Sequence, residues 1–398
     1  MVDLFNTIKA GPTADNDSPD KATIEVDGEK FGDWTSLSIT RGLSQLSGEF
    51  EFTVSNRYPG DFAEGIGLYM GAECKVRIND EQVICGYIDE MPIEYSAGSY
   101  SITYRGRDKT ADLVDCTFNA EYNKNELKNQ TPYNIVSKLC APFGITVRFD
   151  DLSALTEMND MSVAIVSFGV RLGTPVFEQV SEVCRTYGVI PYSKGDGDLW
   201  LTRASTKRTD DSLQSGINIL SARYNISDRD RFRLYCAKSP IAKNSDTETA
   251  SITSGIIKDE GIERDRSFTI IDANLKTIED CKKRATWEMD IRAGASRKLD
   301  VTVQGWTQSN KAVWPLNRIV HVLDDYLGID DDFLIAHLNY VLGSGGSITD
   351  MGLVPPVAFE LPSNKVGRDM KSDVITTFAE DNKKALKLAS IKPSNFKR

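Results

Sequence analysis

The sequence predicts an α+β protein that is mainly β, with two similar antiparallel β-barrel domains and two small helix-strand units between them. Three observations lead to this prediction. Short runs that alternate apolar and polar residues are bounded by Gly-rich turns, which is typical of half-buried strands. A four-strand pattern near the N-terminus recurs in the same order in the C-terminal half. Helical periodicity is clear only in the middle of the chain and in one later segment, and it is weak around 378–388 in the tail.

The recurring pattern has the same internal proportions in both places. In each, the third strand is the longest and is followed by a turn rich in Gly or Ser. The predicted strands are 49–54, 74–78, 82–95 and 99–104 in the first copy, and 298–303, 318–323, 332–342 and 353–359 in the second. Duplication of one domain explains this pattern. Two unrelated β-domains with similar strand spacing remain the alternative.

Along the chain, the predicted organisation has five parts. Residues 1–20 form a flexible N-terminal arm, 21–117 the first β-barrel domain, 118–205 two small α/β units, 206–362 the second β-barrel domain with one helix, and 363–398 a basic tail. In the middle units, Thr131 caps a helix over 132–140 and Thr174 caps a helix over 175–187. A further helix is predicted over 275–293.

Composition limits the class of protein. The 398 residues are enough for two to four domains, and 40% hydrophobic with 26% charged residues is ordinary for a globular protein. No apolar run reaches the ~18 residues needed to cross a bilayer, and the N-terminus lacks a secretory pattern, so we expect synthesis in a cytoplasm. The seven cysteines include no Cys-x-x-Cys pair, so neither a disulfide framework nor a zinc site is predicted.

Charge is unevenly distributed. The net charge is −11, yet residues 363–398 carry nine Lys or Arg against four Asp or Glu, which leaves about −16 on the rest. An acidic body does not bind nucleic acid by neutralising phosphates, because that requires clustered cations. It is suited to repelling a nucleic acid that passes by.

The sequence predicts no catalytic, cofactor or metal site. His321 and His337 have no partners at metal-ligand spacing, and the nucleophile elbow, phosphate-loop and dinucleotide motifs are all missing. An acidic hairpin carries five aspartates without the calcium-loop pattern, and we expect its tip to be solvated or to face a channel: Asp324, Asp325, Asp330, Asp331, Asp332. A pair of catalytic carboxylates stays open, since nothing marks one pair among 58 acidic residues.

The segment from Tyr104 to Cys116 carries a specific resemblance. It contains Gly-Arg-Asp followed by Asp-Leu-Val-Asp, and its proposed structural or inter-subunit residues are Gly106, Arg107, Asp108, Asp112 and Asp115. This pattern resembles a recurrent mark in the baseplate hub proteins of contractile-tailed bacteriophages, the Mu-like tail proteins related in fold to the T4 hub. Segments 131–133, 140–145, 173–178 and 197–203 resemble the same family. A solvated charged turn is the alternative for the motif itself.

The resemblance implies a structural protein of the virion tail rather than an enzyme. Hubs of this family are homotrimers, in which two similar barrels per chain make a ring with pseudo-six-fold symmetry. Such a ring joins the hexameric tail tube to the trimeric central spike, contacts baseplate wedge proteins, and lets DNA through its lumen without specific binding or membrane insertion. Two rivals remain: the hub of a non-viral contractile injection system, and a tail-associated peptidoglycan hydrolase.

Overall fold

The computed structural model describes residues 20–56, 68–97, 99–118, 126–161, 165–187, 189–239, 253–271 and 277–359. The predicted N-terminal arm, except Asp20, and the predicted basic tail therefore lie outside the described residues. The chain is mainly β, as predicted. No described helix is long and apolar enough to cross a membrane.

The described residues of the N-terminal region form eight strands. Alternating burial along them explains the period-two pattern, because one face of each strand packs into the core. The strands are β1 (Ala22–Val26), β2 (Glu29–Phe31), β3 (Ser36–Gly42), β4 (Glu49–Asn56), β5 (Glu73–Ile78), β6 (Glu81–Glu90), β7 (Ile93–Ser96) and β8 (Ser99–Asp108).

The middle region combines helices with short strands around a core of its own. It comprises α1 (Ala111–Asp115), β9 (Glu126–Gln130), α2 (Pro132–Cys140), β10 (Val147–Phe149), α3 (Leu152–Met158), β11 (Ile165–Gly169), α4 (Val176–Thr186), β12 (Ile190–Ser193) and β13 (Leu199–Thr202). The predicted pair of helix-strand units shares one three-stranded sheet, β10-β13-β12, and one apolar core. The two units therefore pack as a single body.

The described residues of the C-terminal region form nine strands and one long helix. The elements are β14 (Leu213–Gln214), β15 (Ile219–Ile226), β16 (Leu234–Ser239), β17 (Thr253–Lys258), β18 (Ser267–Ile271), α5 (Ile278–Ala295), β19 (Arg297–Gln304), β20 (Ile319–Asp324), β21 (Ile329–Gly343) and β22 (Gly346–Val354). A short 3₁₀ turn, Pro356–Phe359, follows. Strands β16 to β18 form a separate small sheet that packs against α5.

The two β-regions share one sheet instead of forming two closed barrels. The 14-stranded sheet runs β15-β19-β22-β21-β3-β4-β8-β6-β5-β1-β2, with β7, β14 and β20 paired off this path. Among the described residues no strand pair closes either half on itself. The reason is that β3, which would have to close the first half, bonds to β21 of the second half. The prediction of two β-barrel domains is therefore not confirmed by the hydrogen bonding of the described residues.

The strand order reproduces the predicted repeat. The first half is ordered β3-β4-β8-β6-β5-β1 and the second β15-β19-β22-β21-β20-β14. The first five strands of each order correspond in position and direction, whereas β1 is antiparallel to β5 and β14 is parallel to β20. The counterparts also agree in register. The third strand of each copy has a bulge opposite the fourth strand, at Asp89 in the first copy and at Ala336 in the second. The difference in residue number that relates these two bulges also relates the turn residues Ser96 and Ser99 to Gly343 and Gly346. A common bulge and turn favour duplication over chance similarity in strand spacing.

Candidate functional site: the motif segment and its junctions

At the start of the motif segment, the paired strands β6 and β8 approach each other closely at two glycines, and we call this place the β6–β8 crossing. A Cβ on Gly106 would lie 2.1 Å from the Tyr87 carbonyl oxygen and 2.4 Å from Cζ of Phe50, and one on Gly86 would lie 1.8 Å from the Arg107 carbonyl oxygen. Real Cβ atoms do not approach other heavy atoms so closely, so only glycine fits at either position. The motif glycine is therefore required by packing between adjacent strands.

Asp108, two residues after Gly106, is buried at the end of β8. Its side chain is 1% exposed and accepts hydrogen bonds from the Ser193 hydroxyl at 2.7 Å and the Thr110 amide at 3.3 Å. Burial raises the pKa of the carboxyl to about 6, and the Ser193 and Thr110 hydrogen bonds oppose that rise. Since Ser193 lies on β12, this carboxyl ties the first β-region to the middle region.

The β12–β13 hairpin docks on the first β-region around this contact. Gly195, in the turn, has φ of +86°, and its added Cβ would lie 1.9 Å from the Val83 carbonyl oxygen. The Gly195 carbonyl accepts from the Gln82 side chain at 2.8 Å, and the Lys194 carbonyl accepts from Arg41 at 2.8 Å. The end of this turn falls in segment 197–203, which resembles the hub family, and the sequence predicts no docking role for it. Its docking role depends on residues more than 100 positions away, so no local signal reveals it.

Arg107 points away from the core and forms a surface ion-pair network. Its guanidinium lies 3.0 Å from Asp89 and 2.7 Å from Asp115, and these carboxylates raise its pKa further. Burial, followed by the charges of Asp89 and Asp115, raises the pKa of Asp112. The motif thus splits into a buried half, Gly106 and Asp108, and a partly exposed half that joins β8, β6 and α1.

The five predicted hairpin aspartates lie together where the end of β20 meets the start of β21. These strands are not the ones that carry the motif. Asp324 is 3% exposed and accepts from the backbone amides of Tyr326 and Leu327 at 2.9 and 3.0 Å. It closes the turn from inside rather than standing at a solvated tip. Asp325, Asp330 and Asp331 are exposed.

Asp332 in this hairpin is partly neutralised by its neighbours. Arg208 binds both of its oxygens and lowers its pKa, and Nδ1 of His321 lies 3.2 Å away. His321 is therefore hydrogen-bonded within the strand pair. In the part of the chain that the structure describes, no group of three or more His, Cys, Asp or Glu is arranged to hold a metal ion.

Asp20 is a connecting residue that the sequence left in the predicted flexible arm. It is 7% exposed, accepts from the Trp306 amide at 2.9 Å and the Ser347 hydroxyl at 3.0 Å, and contacts the Asn79 amide group at 3.3 Å. It therefore bridges the two β-regions. A single Asp before the first strand gives no sequence signal for such a role.

The direct junction between the β-regions is the β3–β21 strand pair. Six consecutive residue pairs are in antiparallel register from Leu37–Leu342 to Gly42–His337. The Asn339 side chain also accepts from the hydroxyls of Ser38 at 2.8 Å and Thr40 at 3.2 Å. One apolar core runs beneath both regions. The two copies are therefore held edge to edge by backbone bonds.

Three segments of the chain match known protein families. Residues 21–108 match the family "Mu phage baseplate assembly protein GpP-like, N-terminal", and residues 110–203 match "Baseplate hub protein gp44-like, second domain". Residues 277–362 match "Mu phage baseplate assembly protein GpP, fourth domain". The class defined by the fold and these matches is that of phage baseplate and tail structural proteins.

Individual relatives agree. The chain is 32% identical over 365 residues to the baseplate hub protein gp44 of Escherichia phage Mu, covering 88% of this chain and 93% of the relative. The 43 kDa tail protein of prophage MuSo2 from Shewanella oneidensis superposes with a TM-score of 0.74 at 29% identity, covering 86% of this chain and 100% of that one. A tail protein from Neisseria meningitidis MC58, at 20% identity and a TM-score of 0.71 with coverage of 86% and 99%, shares the fold. The chain belongs to the Mu-like baseplate hub protein family.

Membership settles the broad function. The chain is a structural component of a phage tail baseplate, located in the virion, and not an enzyme. The predicted resemblance is confirmed, and the peptidoglycan hydrolase alternative is excluded because the relatives are structural hub and tail proteins. The site is accordingly a set of assembly contacts, not a reaction centre.

Proposed function

We propose that this chain forms a homotrimeric ring at the centre of the baseplate, in which two β-copies per chain supply six similar wall segments. The observation that carries the proposal is the duplicated strand order, with one copy bonded to the edge of the other through β3 and β21. A closed ring needs one contact repeated around its axis, and a duplicated chain supplies that contact internally at every second position.

Such a ring resolves a symmetry mismatch. Six wall segments match a hexameric tail tube on one face, whereas three chains match a trimeric central spike on the other. We propose that the middle region, 118–205, lies outside the wall and receives spike or wedge proteins. Its own core and its attachment through Asp108 and Ser193 support a separate, rigidly docked body.

The lumen of the ring is proposed as the path of DNA. The net charge of −11 supports passage without adhesion, because a like-charged wall repels phosphates. The β5–β6 hairpin is the counterpart of the β20–β21 hairpin, so their tips lie at equivalent places in the two copies. Exposed carboxylates occur at both tips, on Asp80 and on Asp325 and Asp330.

Light scattering on the full chain, alone and with its cognate spike protein, tests the proposal. We expect three chains per particle, with the spike increasing the trimeric fraction by mass action where the ring alone is weak. A stable dimer or hexamer in the presence of the spike would contradict the proposal.

A further inference from the structure

The internal junction predicts where neighbouring chains meet. In the second copy, the outer edge of the long strand β21 is covered over 337–342 by β3. Under the offset that superposes the two copies, the counterpart of this stretch in the first copy is the segment that ends in β7. Within the described residues, β7 pairs only with β8, so its outer edge carries no strand.

The partner strand is also duplicated. The counterpart of β3 is β15, since β3 is next to β4 and β15 is next to β19. In the described structure β3 pairs on both sides, whereas β15 pairs along its length with β19 alone. Each chain therefore has one filled junction, β3 on β21, and the two halves of an unfilled one, β15 and β7.

The backbone of β7 is suited to receive a strand. Met91 and Pro92 separate β7 from β6, and the Pro92 carbonyl accepts from the Thr103 amide of β8 at 3.0 Å. Backbone groups alternate in direction along a strand, so those of Ile93 and Tyr95 point to the outer edge. The donor that proline lacks would lie on the β8 side, so the outer edge loses none.

We propose that β15 of one chain adds to β7 of the next chain as an antiparallel strand, in the register of the β3–β21 junction. This inference rests on the proposed ring and names its contact between chains. Transferring the register places Tyr224 opposite Ile93, since their counterparts Ile39 and Tyr340 are paired. By the same transfer, Arg223 lies opposite Glu94.

The side chains at these positions complement each other. Arg223 and Glu94 are both exposed and carry opposite charges, and opposite charges directly across a strand pair stabilise it. Neither forms an ion pair with another described residue of its own chain, although Arg223 stands across from Asp300 in the β15–β19 register. Ile93 and Tyr95 are 50% and 83% exposed, which is unusual for large apolar side chains on an unprotected edge.

Pairing of β15 with β7 of the next chain explains the exposed edges better than symmetric pairing of two like strands does. Two β7 strands paired about Glu94 would bring two carboxylates together, and two β15 strands paired about Arg223 would bring two guanidinium groups together. A head-to-tail contact between β15 and β7 avoids both. It also repeats the geometry that already joins the two copies, as ring closure requires.

Disulfide trapping tests the register. The variant Glu94→Cys/Arg223→Cys places both thiols at a non-hydrogen-bonded pair, where Cα atoms lie about 4.5 Å apart, within the disulfide range. Under mild oxidation we expect covalent dimers and trimers on non-reducing gels. The matched control Glu94→Cys/Asn225→Cys is one pair out of register on the same face, and we expect at least about fivefold less product. The parent chain and both single variants report crosslinking through native cysteines.

Charge exchange gives a second, independent readout. We expect Glu94→Arg to weaken trimer formation at least about tenfold, because Arg223 of the neighbour would then face a like charge. Adding Arg223→Glu should restore assembly, with thermal unfolding of the variants showing that each remains folded. Trimers that form without crosslinking at this pair and ignore the charge reversal would overturn the β15–β7 contact and leave the ring standing. Failure to trimerise even in the parent chain with its spike would overturn the ring itself.

Discussion

The two β-copies share a strand order but differ at the crossing of their third and fourth strands. Where the first copy has Gly86 and Gly106, the second has the buried side chains of Phe333 and Leu353. The third strand is continuous in the second copy and interrupted at Pro92 in the first. The two copies thus share a strand order, whereas only the first has the close β6–β8 approach beside Asp108, where the middle region docks.

If this difference is structural, filling the tight crossing should have the largest effect. We expect Gly86→Ala to lower the free energy of unfolding by about 3 kcal/mol or more, since the new Cβ would overlap the Arg107 carbonyl and force β6 and β8 apart. Chemical denaturation of the full chain measures the loss. Gly343→Ala is the matched control, because its Cβ would meet nothing within 4 Å; its change should stay within about 0.5 kcal/mol. Equal effects at the two sites would refute the crossing argument.

The buried carboxyl beside that crossing should make stability depend on pH. The pKa of Asp108 is raised to about 6 in the folded chain, so the folded state binds the proton more tightly than the unfolded state. Its contribution is therefore present below about pH 4 and lost as pH rises through 6, by up to about 3 kcal/mol. We expect the stability of the native chain minus that of Asp108→Asn to decrease from pH 4 to pH 7, measured by urea denaturation.

Ser193→Ala sharpens this prediction. The Ser193 hydroxyl donates to Asp108 and opposes the rise in the pKa of that carboxyl. Removing the hydroxyl should therefore raise this pKa further, so that the pH-dependent loss of stability occurs at higher pH. We expect an accompanying destabilisation of about 1 to 3 kcal/mol at neutral pH. An unchanged pH profile in Ser193→Ala would show that the hydroxyl does not act on this carboxyl.

The equivalent hairpins of the two copies should respond differently to loss of an aspartate. Asp324 accepts two backbone amides inside its turn, so Asp324→Ala should cost about 1 to 2 kcal/mol. Asp80, whose side chain is 91% exposed in the counterpart hairpin, has a φ of +70°, so Asp80→Asn removes its charge while keeping a residue that tolerates the left-handed region; we expect it to cost less than about 0.5 kcal/mol. Thermal unfolding compares them. A larger loss at Asp80 would mean that the first hairpin is the one held by its carboxylate.

The smallest effect is expected at the exposed half of the motif. Arg107 is 37% exposed where it pairs with Asp89 and Asp115, and exposed pairs are screened by water and salt. We expect Arg107→Ala to cost below about 1 kcal/mol, and less still in high salt. A loss as large as that of Gly86→Ala would mean that this network, and not the strand crossing, organises the motif.

The sequence predicted local elements well where periodicity and caps agree. The helix over 132–140 has the predicted bounds, with Thr131 accepting from the Asn134 amide. Strand partners were harder, because alternation shows which face is buried but not which edge is bonded. The β3–β21 pair joins residues about 300 positions apart, and alternation gives no signal for it. The predicted pair of β-barrel domains is therefore not confirmed, because the hydrogen bonds of the described residues join both halves in one sheet.

The site was predictable only in part for the same reason. The motif drew attention to Asp108, yet its partner Ser193 sits in an ordinary hairpin whose docking depends on the tertiary fold. Asp324 was grouped with four neighbouring aspartates, although its burial separates it from the exposed ones. Composition reports the charge of a hairpin; only the fold distinguishes a carboxylate that closes a turn from one that faces solvent.

Electron cryo-microscopy of the full chain bound to its spike tests the central claim most directly. The account predicts three chains in a closed annulus, with six β-segments related by rotation about the pore and β15 of each chain next to β7 of its neighbour. An annulus with another number of chains, or two β-copies at unequal distances from the pore axis, would contradict it.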